Sequence, residues 1–325
     1  MSYYIYNFIL FLISLVISNL LLKRLINLLK YSFLDIPNNR SSHSNAKPRG
    51  GGIIFVIAAL ISSLIAYFKN DFESIYLIPL ISLPLAIVGF LDDKKGLSTK
   101  IRFFTQVLTG FLIISISPFL EFFPNKNIFI LIFIIFISIL FISGFINFIN
   151  FMDGLDGLIS GSMLILFSTA IIKIGSLIYL IPLVASLIAF LRFNWEPSKI
   201  FMGDIGSTFL GSIYISMIVQ SKDFETFLCL SLLPFPLFFD CIICLIRRLL
   251  SKQNIFDSHK SHLYQRLQQA GWPHSKVSLT YMLSIIILSF SYLIGGYDYL
   301  ITSIGLVSII GIIIEKKYAV PFKKI

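Results

Sequence analysis

Four side chains that carry oxygen recur at every third residue near the middle of the chain. They are Asn147, Asn150, Asp153 and Asp156, and the residues between them are Phe-Ile, Phe-Met and Gly-Leu. Helical residues three apart lie on adjoining parts of one face, so the oxygens form a stripe in apolar surroundings. Polar groups there are costly unless they bind a ligand, a metal ion or one another. Hard oxygen ligands favour Mg²⁺ or Mn²⁺ over Zn²⁺. A helix cap would explain Asp153 or Asp156, but not the whole run.

Asp92 and Asp93 are adjacent and are followed directly by Lys94 and Lys95. Neighbouring carboxylates raise each other's pKa, and such a pair can bind a cation or accept a proton. A solvated helix end with neutralising lysines explains the same residues equally well.

Asp204 stands between Gly203 and Gly206, just before a long apolar segment. A helix cap is one explanation for this carboxylate. A ligand site is equally good, because glycines let the backbone approach a ligand and a helix N-terminus favours phosphate.

The loop 244–276 gathers His259, His262, Tyr264 and Arg266. These donors suit a pyrophosphate group, which accepts charge-assisted hydrogen bonds. A zinc site is the alternative, but carboxylates dominate the surroundings and no thiolate stands nearby. A basic surface on anionic lipid explains the arginines of this loop better than its histidines.

The segment before this loop holds a lone carboxylate and a cysteine pair. Asp240 lies inside an apolar run, where a carboxylate suggests function by default. A structural bridge to Arg247, two helical turns later on the same face, is the alternative explanation. Cys241 and Cys244 form a CxxC without a second ligand pair, which favours simple packing.

The polar, glycine-rich loop 35–50 contains His43 and Arg49. Its basic residues and glycines suit contact with an anion. A plain basic loop at the membrane surface is an equally good explanation.

The composition shows what must position these groups. Of the 325 residues, 57% are hydrophobic and only 13% are charged, and the mean hydropathy is +0.89. A soluble domain would carry roughly 25% charged residues, so these figures indicate a membrane protein. The net charge of +10 therefore reflects membrane topology rather than nucleic-acid binding.

We predict an all-α, polytopic transmembrane helical bundle with about eleven spans, since each crossing needs about 20 apolar residues. The predicted spans are 3–22, 51–68, 75–91, 101–121, 128–145, 157–174, 176–193, 203–219, 225–243, 277–294 and 297–314.

Lysine and arginine are distributed unevenly between the two sides of this bundle. Only Lys69, Lys126, Lys173 and Lys222 fall on one side. The other side holds the loops 23–50, 92–102, 146–156, 192–202 and 244–276 and the tail 315–325. The positive-inside rule places this second set in the cytoplasm, with the N-terminus outside and the C-terminus inside. We therefore predict one integral membrane catalytic domain, 1–325, that works at the cytoplasmic face.

Five stretches between residues 35 and 267 resemble the polyprenyl-phosphate N-acetylhexosamine-1-phosphate transferases. They are DIPNNRSSHSNAKPRGGG, GFLDDKKGLSTKIRFFTQ, NFINFMDGLDGL, NWEPSKIFMGDIGSTFLG and SHKSHLYQRL. This resemblance implies transfer of a sugar 1-phosphate from a UDP-sugar to undecaprenyl phosphate at the cytoplasmic face of the bacterial inner membrane. UMP leaves, and Mg²⁺ or Mn²⁺ is the cofactor. A homodimer is a further expectation.

The resemblance also implies a role for each matching residue. Metal ligation falls to Asp204, Asn150 and Asp153, and catalysis to Asp92, Asp93, Asp153 and Asp156. Substrate binding falls to Asn147, Asn150, His259, His262, Arg266, Lys100 and Arg49. Either Asp92 or Asp93 orients or deprotonates the lipid phosphate, while His259, His262 and Arg266 stabilise the leaving UMP. A two-step route through an aspartyl phosphosugar is the alternative to direct displacement.

The string HKSHLYQR departs from the histidine triplet of several bacterial members. It looks more like the subgroup that initiates O-antigen and related surface polysaccharides than like the peptidoglycan translocase. A transporter or lipid flippase of the same pathway is the alternative function. A transporter predicts acids deep in the spans, whereas here the acids cluster at one face.

Overall fold

The computed structural model describes residues 3–37, 42, 45–69, 73–124, 126–254 and 259–322. His43 lies outside these residues. The described chain is almost entirely helical, as the sequence predicts. Its helices are α1 (Tyr3–Leu29), α2 (Ile53–Lys69), α3 (Ile78–Lys95), α4 (Thr99–Ser115), α5 (Ile128–Phe151), α6 (Leu158–Lys173), α7 (Ile181–Asn194), α8 (Asp204–Ile218), α9 (Phe224–Leu232), α10 (Phe235–Leu250), α11 (Leu263–Gln269) and α12 (His274–Tyr318).

Local signals start several of these helices. Proline stands in the first turn of α3, α7 and α10, where its missing N–H costs nothing. Asn127 caps α5 by accepting the Ile130 N–H at 2.9 Å, and Asp223 caps α9 by accepting the Thr226 N–H at 2.7 Å.

Helix α8 is the centre of the bundle, because every residue from Ile205 to Ile218 is buried. It packs most extensively on α3 and α5. The Ser212 hydroxyl meets Ser82 of α3 at 2.8 Å, and the Tyr214 ring stacks on Phe145 of α5. Asp204, at the first residue of α8, is thereby held among the ends of its neighbours.

The predicted span 225–243 is interrupted. Helices α9 and α10 are bent by 65° at the short break that contains Pro234. Proline removes a backbone donor and clashes with the preceding turn, which accounts for the break. The second part, α10, continues well beyond residue 243.

The chain reverses inside α12 at Gly296, which has φ +63° and ψ −147°. The Ser291 and Ser303 hydroxyls lie 2.7 Å apart, although twelve residues of straight helix would separate them by about 18 Å. Trp272 lies two residues before α12 and Tyr318 is its last residue, yet the centroids of their rings are 5.4 Å apart. The predicted division of this segment near residue 296 is therefore present as a helical hairpin.

Within the described residues, five helices are long and apolar enough to cross a membrane, and the bent pair α9–α10 makes a sixth candidate. Helices α2 and α6 are apolar but shorter. The chain is thus a membrane helical bundle, while the full set of eleven spans and their orientation stay predictions.

Two short strands interrupt the helices. Leu34–Asp35 (β1) pairs antiparallel with Lys47–Pro48 (β2). Further backbone hydrogen bonds join the following residues to the segment before α8: Gly51 N to Phe201 O at 2.9 Å, and Gly52 N to Met202 O at 3.0 Å. This pairing brings the segment that carries Arg49 to the first residue of α8.

Candidate active site

Arg49 lies between two carboxylates at the junction of α3 and α8. Its Nη2 is 2.7 Å from Asp93 Oδ1 and 3.0 Å from Asp204 Oδ1. Although burial opposes the charge, Asp93 and Asp204 hold the pKa of Arg49 above its usual value. The Asp93 carboxylate also accepts the backbone N–H groups of Asp204 at 3.0 Å and Ile205 at 3.3 Å. Asp93, in the last turn of α3, thus caps the N-terminus of α8. This contact gives one member of the Asp92–Asp93 pair a defined structural position.

Glycines allow this close approach. A Cβ on Gly89 would lie 2.6 Å from the Asp204 carbonyl carbon and oxygen. Helix α3 can therefore pack this closely against the start of α8 only because residue 89 has no side chain. Gly203 has φ +76°, and its added Cβ would meet Asp93 Oδ2 at 2.3 Å. Both positions therefore require glycine, for space at Gly89 and for space and conformation at Gly203.

Asp153, in the turn between α5 and α6, completes the group. Burial and the neighbouring charges of Asp204 and Asp93 raise the pKa of Asp153 to about 8, despite the opposing effect of Arg49. The Arg49 guanidinium thus contacts two carboxylates and acts electrostatically on the third. We call Asp93, Asp153 and Asp204 the aspartate cluster.

The aspartate cluster fits a divalent cation. A bound cation would balance the negative charge of the ionised cluster, and three carboxylates supply the hard oxygen ligands that Mg²⁺ or Mn²⁺ takes. Asn150, predicted as a further ligand, lies beside the cluster and its Oδ1 accepts the Ser207 hydroxyl at 2.6 Å.

The other members of the predicted stripe and pair lie in different surroundings. Asn147 exchanges two hydrogen bonds with Gln106 of α4, at 2.9 and 3.0 Å. The Asp92 carboxylate accepts hydrogen bonds from the Leu97 N–H at 2.5 Å and from Arg102 Nη1 at 2.9 Å. Its negative charge also interacts with the carboxylate of Asp204. Lys100 is exposed in the first turn of α4.

Asp156 is the centre of a separate buried network. Its carboxylate accepts the Ser198 N–H at 3.0 Å and the Ser198 hydroxyl at 2.8 Å, and it lies 3.3 Å from Lys47 Nζ and 3.5 Å from His274 Nδ1. Burial opposes ionisation, but the contacts with His274, Ser198 and Lys47 hold the pKa of Asp156 below its usual value. These bonds join four separate segments, which indicates a structural role for a residue that the sequence assigned to catalysis.

Asp156→Ala is therefore expected to destabilise the protein by about 3–5 kcal/mol, because it removes the buried acceptor of the Ser198 N–H and hydroxyl and the carboxylate beside the partly buried Lys47 ammonium. Thermal unfolding in detergent measures the effect. Asp298→Ala is the matched control, since Asp298 is an exposed aspartate and its loss changes stability little. An unchanged unfolding temperature combined with lost transferase activity would instead support the catalytic assignment.

The predicted donor-binding residues lie around α11. His262 is 5% exposed and forms the N-cap of α11, and its ring centroid is 5.0 Å from that of His259. Burial and the neighbouring charge of His262 lower the pKa of His259 to about 4. Burial works against protonation of His262, but Asp240 and Cys244 raise its pKa to about 9.

Helix α11 is docked next to the aspartate cluster. The Tyr264 hydroxyl donates to the Phe151 carbonyl at 3.1 Å, two residues before Asp153. Arg266, by contrast, forms an ion pair with Glu315 and donates to the Val320 carbonyl at 3.0 Å. It is only 3% exposed, so its guanidinium is committed to the end of α12.

Asp240 is bridged, but not by Arg247. It accepts the N–H groups of Leu263 at 2.6 Å and Tyr264 at 3.1 Å and the Tyr281 hydroxyl at 2.7 Å. Arg247 forms an ion pair with Glu315 instead. Asp240 therefore fastens α11 to α10 and α12.

The sequence interpretation assigned no role to Ser198, Ser207 or Gly89. Ser198 and Ser207 have no distinguishing local signal, because their partners are distant in sequence. Gly89 does have one, since it stands four residues before Asp93 in the quoted stretch GFLDDKK.

An apolar groove runs between α5 and the bent pair α9–α10. It is lined by Phe133, Ile137, Phe141, Phe227, Phe238 and Ile242 among others. Beyond the groove, α5 continues to its end next to Asp153. A long apolar chain in this groove would therefore have one end directed toward the aspartate cluster.

The chain is similar in sequence to one protein family and to several transferases. A family model described as glycosyl transferase family 4 matches residues 75–222. The probable undecaprenyl-phosphate N-acetylglucosaminyl 1-phosphate transferase of Bacillus subtilis (strain 168) is 33% identical over 88% of this chain and 83% of its own length. The phospho-N-acetylmuramoyl-pentapeptide-transferase of Staphylococcus haemolyticus (strain JCSC1435) is 30% identical over 83% of this chain and 93% of its own.

A third relative is the undecaprenyl-phosphate alpha-N-acetylglucosaminyl 1-phosphate transferase of Thermotoga maritima. It is 30% identical over 73% of this chain and 74% of its own length. All three relatives are named as transferases, so they give the transporter or flippase alternative no support.

Proposed function

Because the chain belongs to the polyprenyl-phosphate N-acetylhexosamine-1-phosphate transferases of glycosyl transferase family 4, we propose that it transfers an N-acetylhexosamine 1-phosphate from a UDP-sugar to undecaprenyl phosphate. The products are UMP and an undecaprenyl-pyrophosphoryl sugar. The names of the relatives support the acceptor and the type of group transferred.

The observation that carries this proposal is the convergence of Asp93, Asp153 and Asp204 around Arg49. Reaction between two phosphates is opposed by their repulsion, so charge compensation and alignment should supply most of the rate enhancement. Asp153 and Asp204, with Asn150 beside them, are the residues proposed to hold Mg²⁺ or Mn²⁺. The bound cation would offset the negative charge that gathers between the two substrates.

The chain's own residues have distinct tasks in this proposal. Arg49 supplies a fixed positive charge and holds Asp93 and Asp204 in place. Asp92 or Asp93 orients or deprotonates the acceptor phosphate. The commitment of Arg266 to Glu315 favours His259 and His262 over Arg266 for stabilising the leaving UMP.

The groove between α5 and α9–α10 is proposed to hold the isoprenoid chain. Its aromatic and aliphatic lining suits a long hydrocarbon. The lysine and arginine asymmetry supports a site on the cytoplasmic face of the inner membrane. The chain would then catalyse the first membrane step of O-antigen or another cell-envelope polysaccharide, and a homodimer is part of the same proposal.

The proposal is tested by UMP release from purified protein with undecaprenyl phosphate and a panel of UDP-N-acetylhexosamines, including 6-deoxy sugars. At least one donor is expected to give UMP and a lipid-linked sugar. UMP release from none of the donors would contradict the proposal.

Removal of divalent metal is expected to stop this reaction. EDTA should abolish UMP release, because the aspartate cluster then repels the donor, and excess Mg²⁺ or Mn²⁺ should restore it. Calcium-saturated EDTA is the control for effects of the chelator itself. Undiminished turnover in EDTA would exclude a required metal.

A further inference from the structure

A second group of metal-ligating side chains lies apart from the aspartate cluster. Cys244 of α10, His259 and His262 each offer one ligand atom, and these atoms all lie within 4.8 Å of one another. Cys244 and His262 are buried, and His259 is half-buried. We call these three residues the cysteine–histidine cluster. The other half of the CxxC is not part of it, because the Cys241 thiol is directed at the Phe148 carbonyl at 3.8 Å.

The two histidine rings each keep one nitrogen for a ligand. His262 Nδ1 is buried and faces Asp240 Oδ1 at 3.6 Å, without a hydrogen bond of ordinary length. Its Nε2 is therefore the available ligand atom of that ring. His259 Nδ1 accepts the Ser261 N–H at 3.4 Å, which leaves Nε2 as the available ligand atom of that ring.

We propose that Cys244, His259 and His262 bind a thiophilic divalent transition-metal ion of the Zn²⁺ class. One thiolate and two imidazoles are the ligands that zinc prefers, whereas the aspartate cluster offers only hard oxygens. Zn–S and Zn–N bonds of about 2.3 and 2.0–2.1 Å would place the ligand atoms roughly 3.5 Å apart. The present spacing needs only a small closure, which the half-buried His259 can supply.

The surroundings support such a site. Asp240 stands beside His262 and is itself fixed by the N–H groups of Leu263 and Tyr264 and the Tyr281 hydroxyl. A fixed carboxylate next to a ligating histidine orients the ring and increases its basicity. The positive charge of Arg248 disfavours protonation of the His259 ring, which keeps the imidazole neutral, while the negative charge of Asp240 acts in the opposite direction.

The metal would have a structural consequence for the protein. It would join the cytoplasmic end of α10 to the start of α11, and α11 contacts the turn that carries Asp153 through the Tyr264 hydroxyl. Three protein ligands also leave a fourth position for water or a phosphate oxygen. The site is therefore compatible with donor contact by the same histidines, but it does not depend on it.

The test is the zinc content of protein purified from zinc-supplemented cells. We expect about one Zn²⁺ per chain in the unaltered protein and loss of most of it in Cys244→Ser and His262→Gln, because each removes one of three ligands. Cys229→Ser, a buried cysteine outside the cluster, and Asp204→Asn should retain the metal. Equal zinc in Cys244→Ser and unaltered protein would overturn the proposal, as would loss in Asp204→Asn alone.

A second measurement does not depend on the folding of the ligand variants. In a Cys229→Ala/Cys241→Ala protein, Cys244 is the one remaining thiol. Added Zn²⁺ should slow its reaction with a small alkylating reagent by at least about tenfold, since a bound thiolate is not free to react. No protection by Zn²⁺ would overturn the proposal, whether or not the protein shows transferase activity.

Discussion

Asp204→Asn is expected to lower kcat for UMP release by roughly 10³-fold or more, with little change in folding. Asparagine keeps the size of the side chain and its place at the start of α8, but it removes one of the three charges of the aspartate cluster. Loss of metal-mediated charge stabilisation costs several kcal/mol, and about 4 kcal/mol corresponds to a thousandfold in rate. The measurement is UMP release by purified protein with saturating donor and Mg²⁺.

Asp298→Asn is the matched control for this variant, because it makes the same chemical change at an exposed aspartate in the α12 hairpin. Its turnover should equal that of the unaltered protein. The unfolding temperatures of both variants check that the loss is chemical rather than structural. A near-normal rate for purified Asp204→Asn would remove Asp204 from the site.

Gly89→Ala is expected to lower turnover by about 10²-fold although Gly89 carries no functional group. The added methyl group would lie 2.6 Å from the backbone of Asp204 and Ile205, so α3 and α8 must separate. That movement displaces Asp93 from the N-terminus of α8 and Asp204 from Arg49. A displacement of about 1 Å at a catalytic group can cost a hundredfold in rate.

Gly144→Ala tests this reason with the same chemical change in the helix α5. A Cβ at Gly144 meets nothing within 4 Å, so the control should keep full activity and a similar or slightly higher stability. Equal activity of Gly89→Ala and Gly144→Ala would show that the close contact of α3 and α8 is not needed for turnover.

The helices were largely predictable because their signals are local. Apolar runs of the right length, prolines in first turns and short polar connectors stand within a few residues of one another. The predicted span 128–145 ended too early, because α5 continues to Phe151 and carries Asn147 and Asn150 on its last turns, in line with the helical spacing of these residues. Nor did the sequence predict the break of α9–α10, although Pro234 lies in the middle of the predicted span, because a proline by itself does not reveal the angle of a bend.

The sequence predicted which residues make up the candidate site, but it did not predict which of them contact one another. The stripe Asn147–Asp156 suggested four cooperating ligands, but it divides: Asn147 pairs with Gln106, Asn150 with Ser207, and Asp156 with Ser198, while Asp153 joins the aspartate cluster. The residues drift around the helix, and the chain leaves the helix after Phe151. Equal spacing therefore did not bring the four side chains into one network of contacts.

The cysteine–histidine cluster was missed for a similar reason. Cys244 lies fifteen or more residues before the two histidines, so the sequence analysis kept zinc only as an alternative and counted the lack of a nearby thiolate against it. The return of the chain after α10 and the capping of α11 by Asp240 bring the three ligands together.

The sequence by itself determined that this protein resides in a membrane and carries carboxylates suited to a hard divalent cation, because hydropathy and ligand chemistry belong to the residues themselves. Only the tertiary structure decided which of these residues meet. Arg49 and Asp204 are 155 residues apart along the chain, and their contact depends on the packing of α3 against α8, through Gly89, and on the backbone pairing of the loop before α2. Contacts of this kind are set by the shapes of packed helices, which no local pattern specifies.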